Sequence, residues 1–136
     1  MIHAVVLAAG RSSRMGDRVQ KLLLPFGGQA VIQRVVGEVC RAPIDRTVVV
    51  LGADRDRVRS VLADTPAQFT TNPDPTGDML SSVRCGLREV PRDCDAVLVA
   101  LGDQPGISCN VVTRMVEHFR PGERNIVVPT CDGERG

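Results

Sequence analysis

Leu7-Ala8-Ala9-Gly10-Arg11-Ser12-Ser13-Arg14-Met15-Gly16, closing at Lys21, is the stretch on which the reading of this chain turns. It directly follows residues 2–7, a short and largely aliphatic run of the kind that forms a buried parallel strand. Ala8, Ala9 and Gly10 carry little or no side chain, so a ligand can come close to the backbone there. Ser12 and Ser13 add hydroxyl donors. Arg11, Arg14 and Lys21 add positive charge against a single acid, Asp17. Small residues, free N–H groups and cations at the end of a strand are what a polyphosphate needs. The spacing is neither G-x-x-x-x-G-K-[ST] nor G-x-G-x-x-G, so neither of those phosphate loops is present here.

Composition narrows the classes. The chain has 136 residues, enough for one compact domain, and 43% of them are hydrophobic, enough to build a core. Aromatic residues are only 2%, so Val, Leu, Ile and Ala must fill that core. The same scarcity argues against single-stranded nucleic-acid binding, which favours aromatic stacking platforms. A net charge of +1 gives no global field toward nucleic acid or anionic lipid. No run is long enough to span a bilayer, and the apolar start lacks a cleavage pattern. Cys40, Cys85, Cys94, Cys109 and Cys131 are scattered, without a C-x-x-C pair, and His3 and His118 stand alone. Reduced thiols in a cytoplasmic protein are the expectation, with neither a zinc cage nor a disulfide framework. Both histidines read as structural. Arg55, Arg57 and Arg59 alternate with acids and read as a solvated face.

Along the chain, apolar runs of strand length alternate with helical periodicity. After the loop, residues 22–25 read as a short extended piece and Gly27-Gly28 as a turn. Residues 29–41 read as a helix, with Val31, Ile32, Val35, Val36 and Val39 on one face, ended by Pro43. Residues 47–51 read as a strand, 54–63 as an amphipathic helix and 68–71 as a weak strand. A turn cluster, residues 72–77, precedes a helix over 78–90, with Leu80, Val83, Leu87 and Val90 as its apolar spacing. Residues 94–101 form the most apolar strand. Ser108 is the expected N-cap of a helix to His118 that buries Val111, Val112, Met115, Val116 and Phe119. A last strand is expected over 125–129.

This alternation predicts a three-layer α/β/α fold with a mostly parallel sheet, Rossmann-like, in a single domain over residues 1–136. Ligands of such sheets sit outside the carboxyl ends of the strands. Two loops lie at such ends. One is the Gly10 loop. The other is Gly102-Asp103-Gln104-Pro105, where Asp103 is a carboxylate suited to a hard cation such as magnesium beside substrate phosphates. A plain turn, or a cap of the next helix, is the competing reading of Asp103.

Together these residues resemble the MobA-like nucleotidyltransferases, and within them the molybdenum cofactor cytidylyltransferases. The resemblance rests on L-A-A-G-R-S-S-R-M-G with Lys21 and Leu22-Leu23-Leu24-Pro25-Phe26, on the turn and helix from Asn72 through Ser81, Ser82 and Gly86, and on G-D-Q-P at Gly102. In the second of these, Asp78 separates Gly77 from Met79, where the family places Met directly after Gly. The resemblance implies transfer of CMP from CTP to a phosphorylated acceptor, a molybdopterin-type cofactor, with release of pyrophosphate. It implies nucleotide contacts from Leu7, Ala8, Ala9, Gly10, Arg11, Ser12, Ser13, Arg14, Lys21, Asn72, Ser82, Gly102 and Asp103. Arg14, Lys21 and Asp103 would be catalytic, and Asp103 the magnesium ligand. A guanylyl- or sugar-phosphate nucleotidyltransferase is an alternative, as is an NTP-binding module without turnover. Residues 131–136 resemble the approach to the family's Gly-His-Pro motif, so the chain is expected to lack a C-terminal part that holds the acceptor. The same reading expects poor transfer, and association through an uncovered strand at residues 125–129.

Overall fold

The structure is a computed structural model, described here over residues 1–9, 21–52, 54–74, 77–119, 126–131 and 134–135. Four strands form the central sheet: β1 (Ile2–Ala8), β4 (Arg46–Leu51), β5 (Gln68–Thr71) and β6 (Ala96–Leu101). Their order is β5-β4-β1-β6 and every pairing is parallel. The chain moves outward from β1 to β4 and β5, then returns to the other side of β1, so strand order reverses between β1 and β6.

Helices cover both faces, giving the expected three layers. On one face α1 (Val31–Arg41), α2 (Arg55–Val61) and α4 (Cys109–His118) close a core with Ala4, Val6, Ala8, Val49 and Leu51. On the other, α3 (Met79–Arg88) packs on Val5, Leu7 and Val50. The aliphatic core expected from the scarcity of aromatics is therefore the one built. Among the described residues, no helix is long and apolar enough to cross a membrane.

Several local expectations are corrected. Leu22 and Leu23, expected to be extended, are helical together with Lys21. The extended residues that follow are β2 (Pro25–Phe26), which pairs antiparallel with β3 (Gln29–Ala30). Gly27 and Gly28 have φ of 59° and 85°, the positive pair that a tight two-residue hairpin requires. This hairpin takes Gln29 and Ala30 out of the helix, so α1 starts at Val31, where Gln33 Oε1 accepts from Ala30 N at 2.7 Å.

Helix α3 is rotated relative to its apolar spacing. It buries Ser82, Cys85 and Gly86, while Leu80 is 56% and Leu87 42% exposed. Gly86 is the reason: a Cβ there would lie 2.3 Å from Val5 Cγ1, so the helix backbone lies against the sheet at that point. On α4 only Val112 is fully buried, and Val111 is exposed.

The apolar run of β6 predicts cover on both faces, yet Val99 is 47% exposed. Among the described residues β6 pairs only with β1, and α3 sits over β1, β4 and β5. Residues 126–129 form no strand; the nearby pairing is a small antiparallel one between β7 (Thr130–Cys131) and β8 (Glu134–Arg135). Among the described residues the edges of the sheet are β5 and β6, and residues 126–129 pair with neither, because a run of β-branched residues is a strand only where a partner accepts its ladder; Asn125, where that strand was expected to begin, lies outside the described residues.

His3 is buried in β1, with neither ring nitrogen bonded among the described residues, and His118 Nδ1 lies 2.8 Å from the Arg114 carbonyl within its own helix. Arg55, Arg57 and Arg59 are exposed, as their alternation with acids implied. Cys40, Cys85, Cys94 and Cys109 are free thiols.

Candidate functional site

The site is assembled by strand ends. Leu7 pairs with Leu101, and the N–H of Gly102 continues that ladder by donating to the Leu7 carbonyl at 2.9 Å. The chain leaving β1 at Ala8 and Ala9 therefore lies beside the chain leaving β6 at Gly102 and Asp103. This is the point where strand order reverses, and such points open a crevice at the carboxyl edge of a parallel sheet. Gly10, Arg11, Ser12, Ser13 and Arg14 continue from Ala9 and lie outside the described residues. Lys21 is exposed, and its neighbour Leu22 is buried against the start of the Asp103 loop: a Cβ on Gly102 would meet Leu22 Cδ2 at 3.3 Å.

Gly102 has no room for a side chain. A Cβ would also lie 2.6 Å from Ile32 Cδ1 and 2.9 Å from the Leu7 carbonyl oxygen. Glycine here lets the loop leave β6 in contact with β1, and Asp103 follows at intermediate exposure.

At the far end of the row, Asn72 donates its backbone N–H to the Leu51 carbonyl at 2.8 Å, which sets it at the carboxyl end of β4 and β5. Its side-chain amide donates to Ser81 Oγ at 2.8 Å and to Ser82 Oγ at 3.1 Å, while its carbonyl oxygen accepts from Asp74 N. Ser82 is 1% exposed, so its hydroxyl faces Asn72 rather than the crevice. Asp78 is the N-cap of α3, its carboxylate accepting from Ser81 N at 2.9 Å. The residue that interrupts the expected Gly-Met sequence thus starts the helix and orders the serines. Gly77 closes the cluster, since a Cβ there would lie 2.5 Å from both Asn72 Nδ2 and Ser81 Oγ.

Among the described residues, no group of three or more His, Cys, Asp or Glu could cage a metal. One carboxylate beside a phosphate site is a donor set for a hard divalent cation that keeps waters and shares phosphate oxygens. Asp103 is a single carboxylate of that type, and the described residues do not fit a closed zinc site.

Three residues support this edge, Phe26, Arg34 and Glu38, and sequence reasoning passed over the last two. Arg34 Nε donates to the Pro105 carbonyl at 3.2 Å, its Nη1 lies 3.1 Å from Glu38 Oε1, and its guanidinium carbon stands 5.4 Å from the centre of the Phe26 ring. Glu38 is 7% exposed and accepts from Cys109 N at 3.0 Å and from Arg41 Nη2 at 2.7 Å. The hydrogen bond from Arg41, then the Cys109 N–H, holds the Glu38 carboxyl below its ordinary value against the opposing effect of burial. The available signal was an acid at position 38, between Val35, Val36 and Val39 on the face that α1 buries.

Known proteins share this fold. A nucleotidyl transferase from Methanothermobacter thermautotroptrophicus superposes with a TM-score of 0.77 at 35% identity, over 87% of this chain and 57% of that one. Rv0371c of Mycobacterium tuberculosis H37Rv, in complex with manganese, superposes with a TM-score of 0.70 at 26% identity, over 85% and 58%. The bifunctional protein GlmU of Desulfotalea psychrophila is 29% identical over 126 residues, 93% of this chain and 37% of that protein. The chain therefore spans little more than a third of that curated relative and under two thirds of both solved chains. The MobA-like NTP transferase domain matches residues 4–136, nearly the whole sequence, and the chain belongs to that family.

Proposed function

We propose that this chain binds a nucleoside triphosphate, with CTP as the nucleotide, and transfers CMP to a phosphorylated acceptor of the molybdopterin type in the cytoplasm. The observation that carries the reading is the Gly102–Leu7 hydrogen bond at the reversal of strand order, which sets Asp103 beside the exit of β1. Family membership supports the reaction class. The choice of CTP and of the acceptor rests on the G-D-Q-P resemblance.

In this reaction an acceptor phosphate oxygen forms a bond to the α-phosphorus, the bond from that phosphorus to the β-phosphate oxygen breaks, and pyrophosphate leaves. Such transfer is mainly a matter of position and charge neutralisation. Backbone N–H groups and hydroxyls of Gly10, Arg11, Ser12 and Ser13 would hold the β- and γ-phosphates, with Leu7, Ala8 and Ala9 adding nucleotide contacts. Arg14 and Lys21 offset the charge that grows on the leaving pyrophosphate. Asn72, held by Ser81 and Ser82, bounds the nucleoside side. Asp103 would hold the magnesium ion, which would supply positive charge against the α-phosphate.

The test is calorimetry with CTP and with GTP, across a magnesium titration, on the wild type and Asp103→Asn. CTP should bind more tightly than GTP, and Asp103→Asn should keep its fold and lose the magnesium dependence of binding. Preference for GTP would move the chain to the guanylyl branch. Nucleotide binding without pyrophosphate release, whatever phosphorylated acceptor is offered, would leave a binding module. A normal magnesium titration in Asp103→Asn would remove Asp103 as the ligand.

A further inference from the structure

We infer that Arg34, with Glu38 one helical turn on, is a positioning residue for the Asp103 loop, tuning metal-dependent nucleotide binding without touching nucleotide or metal; this rests on the assignment of Asp103 to the metal. The loop leaves β6 at Gly102 and enters α4 at Cys109. Its start is fixed by the Gly102–Leu7 bond. Its middle and end are fixed from α1. Arg34 holds the Pro105 carbonyl at 3.2 Å, and Glu38 holds the Cys109 N–H at 3.0 Å, an orphan donor of the first turn of α4. Arg34 and Glu38 are themselves joined at 3.1 Å, i to i+4 on α1. Asp103 thus sits in a span held on its N-terminal side by the Gly102–Leu7 bond and on its C-terminal side by the Arg34–Glu38 pair.

The same guanidinium stacks over Phe26, 5.4 Å from the ring centre. Phe26 lies in the hairpin that follows Lys21, so Arg34 contacts both the segment leaving the phosphate loop and the segment carrying Asp103. Lysine cannot substitute. Its compact ammonium carries three rotatable donors at a single point, whereas the planar fork reaches a carbonyl, a carboxylate and a ring face at once. Residues that orient a metal ligand typically change metal affinity by about 10- to 100-fold when altered. Arg34 acts through the backbone of the loop, so the lower end, about tenfold, is expected.

The experiment measures the magnesium concentration that gives half-maximal enhancement of CTP binding, CTP binding without metal, and the melting temperature. The variants are Arg34→Lys, Arg34→Ala, Phe26→Leu and Asp103→Asn. Arg34→Lys and Arg34→Ala should both raise the magnesium requirement about tenfold, while metal-free CTP binding stays within about twofold of wild type. Phe26 is exposed, so Phe26→Leu should fold normally and raise the requirement by a smaller factor, about two- to fivefold. If Arg34 variants fail to fold, Phe26→Leu decides alone. Equal weakening of CTP binding with and without metal would make Arg34 merely structural and overturn the inference. So would an unchanged magnesium requirement in the Arg34 and Phe26 variants while Asp103→Asn abolishes the dependence. An unchanged requirement in Asp103→Asn would overturn the metal assignment itself, and this inference with it.

Discussion

Gly102→Ala places one methyl group where the fold and the proposed site meet. That Cβ would lie 2.6 Å from Ile32 Cδ1, 2.9 Å from the Leu7 carbonyl oxygen and 3.3 Å from Leu22 Cδ2. The Ile32 methyl belongs to a fully buried side chain, and the Leu7 oxygen is the acceptor of the Gly102 N–H itself. Relief therefore requires either repacking of α1 or separation of the two strand exits. Overpacking of this kind typically costs about 1–3 kcal/mol. Restricting the unfolded chain by replacing glycine returns about 0.4–1 kcal/mol. The net expectation is a loss of about 1–2 kcal/mol. At about 2.1 cal/mol/K per residue, for 136 residues, this lowers the melting temperature by about 4–7 °C. Gly106→Ala is the control, since nothing lies within 4 Å of its Cβ and its φ is outside the left-handed region. It should leave the melting temperature unchanged or raise it by about 1–3 °C. Thermal unfolding followed by circular dichroism compares the two, and calorimetry with CTP reads the site. A Gly102→Ala protein that melts with the wild type and binds CTP equally well would show that the two strand exits are not held in the contact described.

Lys21→Ala should weaken CTP binding tenfold or more, at about 1.5–3 kcal/mol for a charge-assisted bond, and leave binding of cytidine unchanged; equal losses in calorimetry with the two ligands would remove Lys21 from the phosphate site. The Glu38 carboxyl is held below its ordinary value in the folded chain. Its contribution to stability is therefore present above the unfolded value of about 4.3 and is lost as pH falls through it toward the lower folded value. Glu38→Gln should flatten the acid limb of a plot of urea midpoint against pH between about 6 and 3, and an acid limb identical to that of the wild type would mean that this carboxyl carries no such linkage.

What could be read from the residues in order was the local part. Apolar runs bounded by glycine and proline give strands, and 3.6-residue periodicity gives helices, because both depend on neighbours a few positions apart. The alternation was enough to specify a parallel, three-layer fold, and the chemistry of residues 7–21 and of Asp103 was enough to suggest phosphate and metal. The hairpin at Gly27-Gly28 was half legible: the turn was evident, but its two-residue strands were too short to show a period.

The tertiary structure decided what depends on partners distant in sequence. That β1 lies between β4 and β6, with Leu7 against both Val50 and Leu101, is what joins the two candidate loops. The face that α3 buries was set by the close approach of Gly86 to Val5 and by the hydrogen bonds of Ser82, so the helix exposes the leucines its periodicity nominated. The spacing of leucine and valine tells which side of a helix is apolar, while burial depends also on which side the backbone can bring closest to the sheet. The reach of Arg34 from α1 to Pro105, across 71 positions, has the same origin. An arginine on a helix reads locally as solvated surface, and only packing of that helix against a loop from the far half of the chain gives its guanidinium a carbonyl, a carboxylate and a ring to hold.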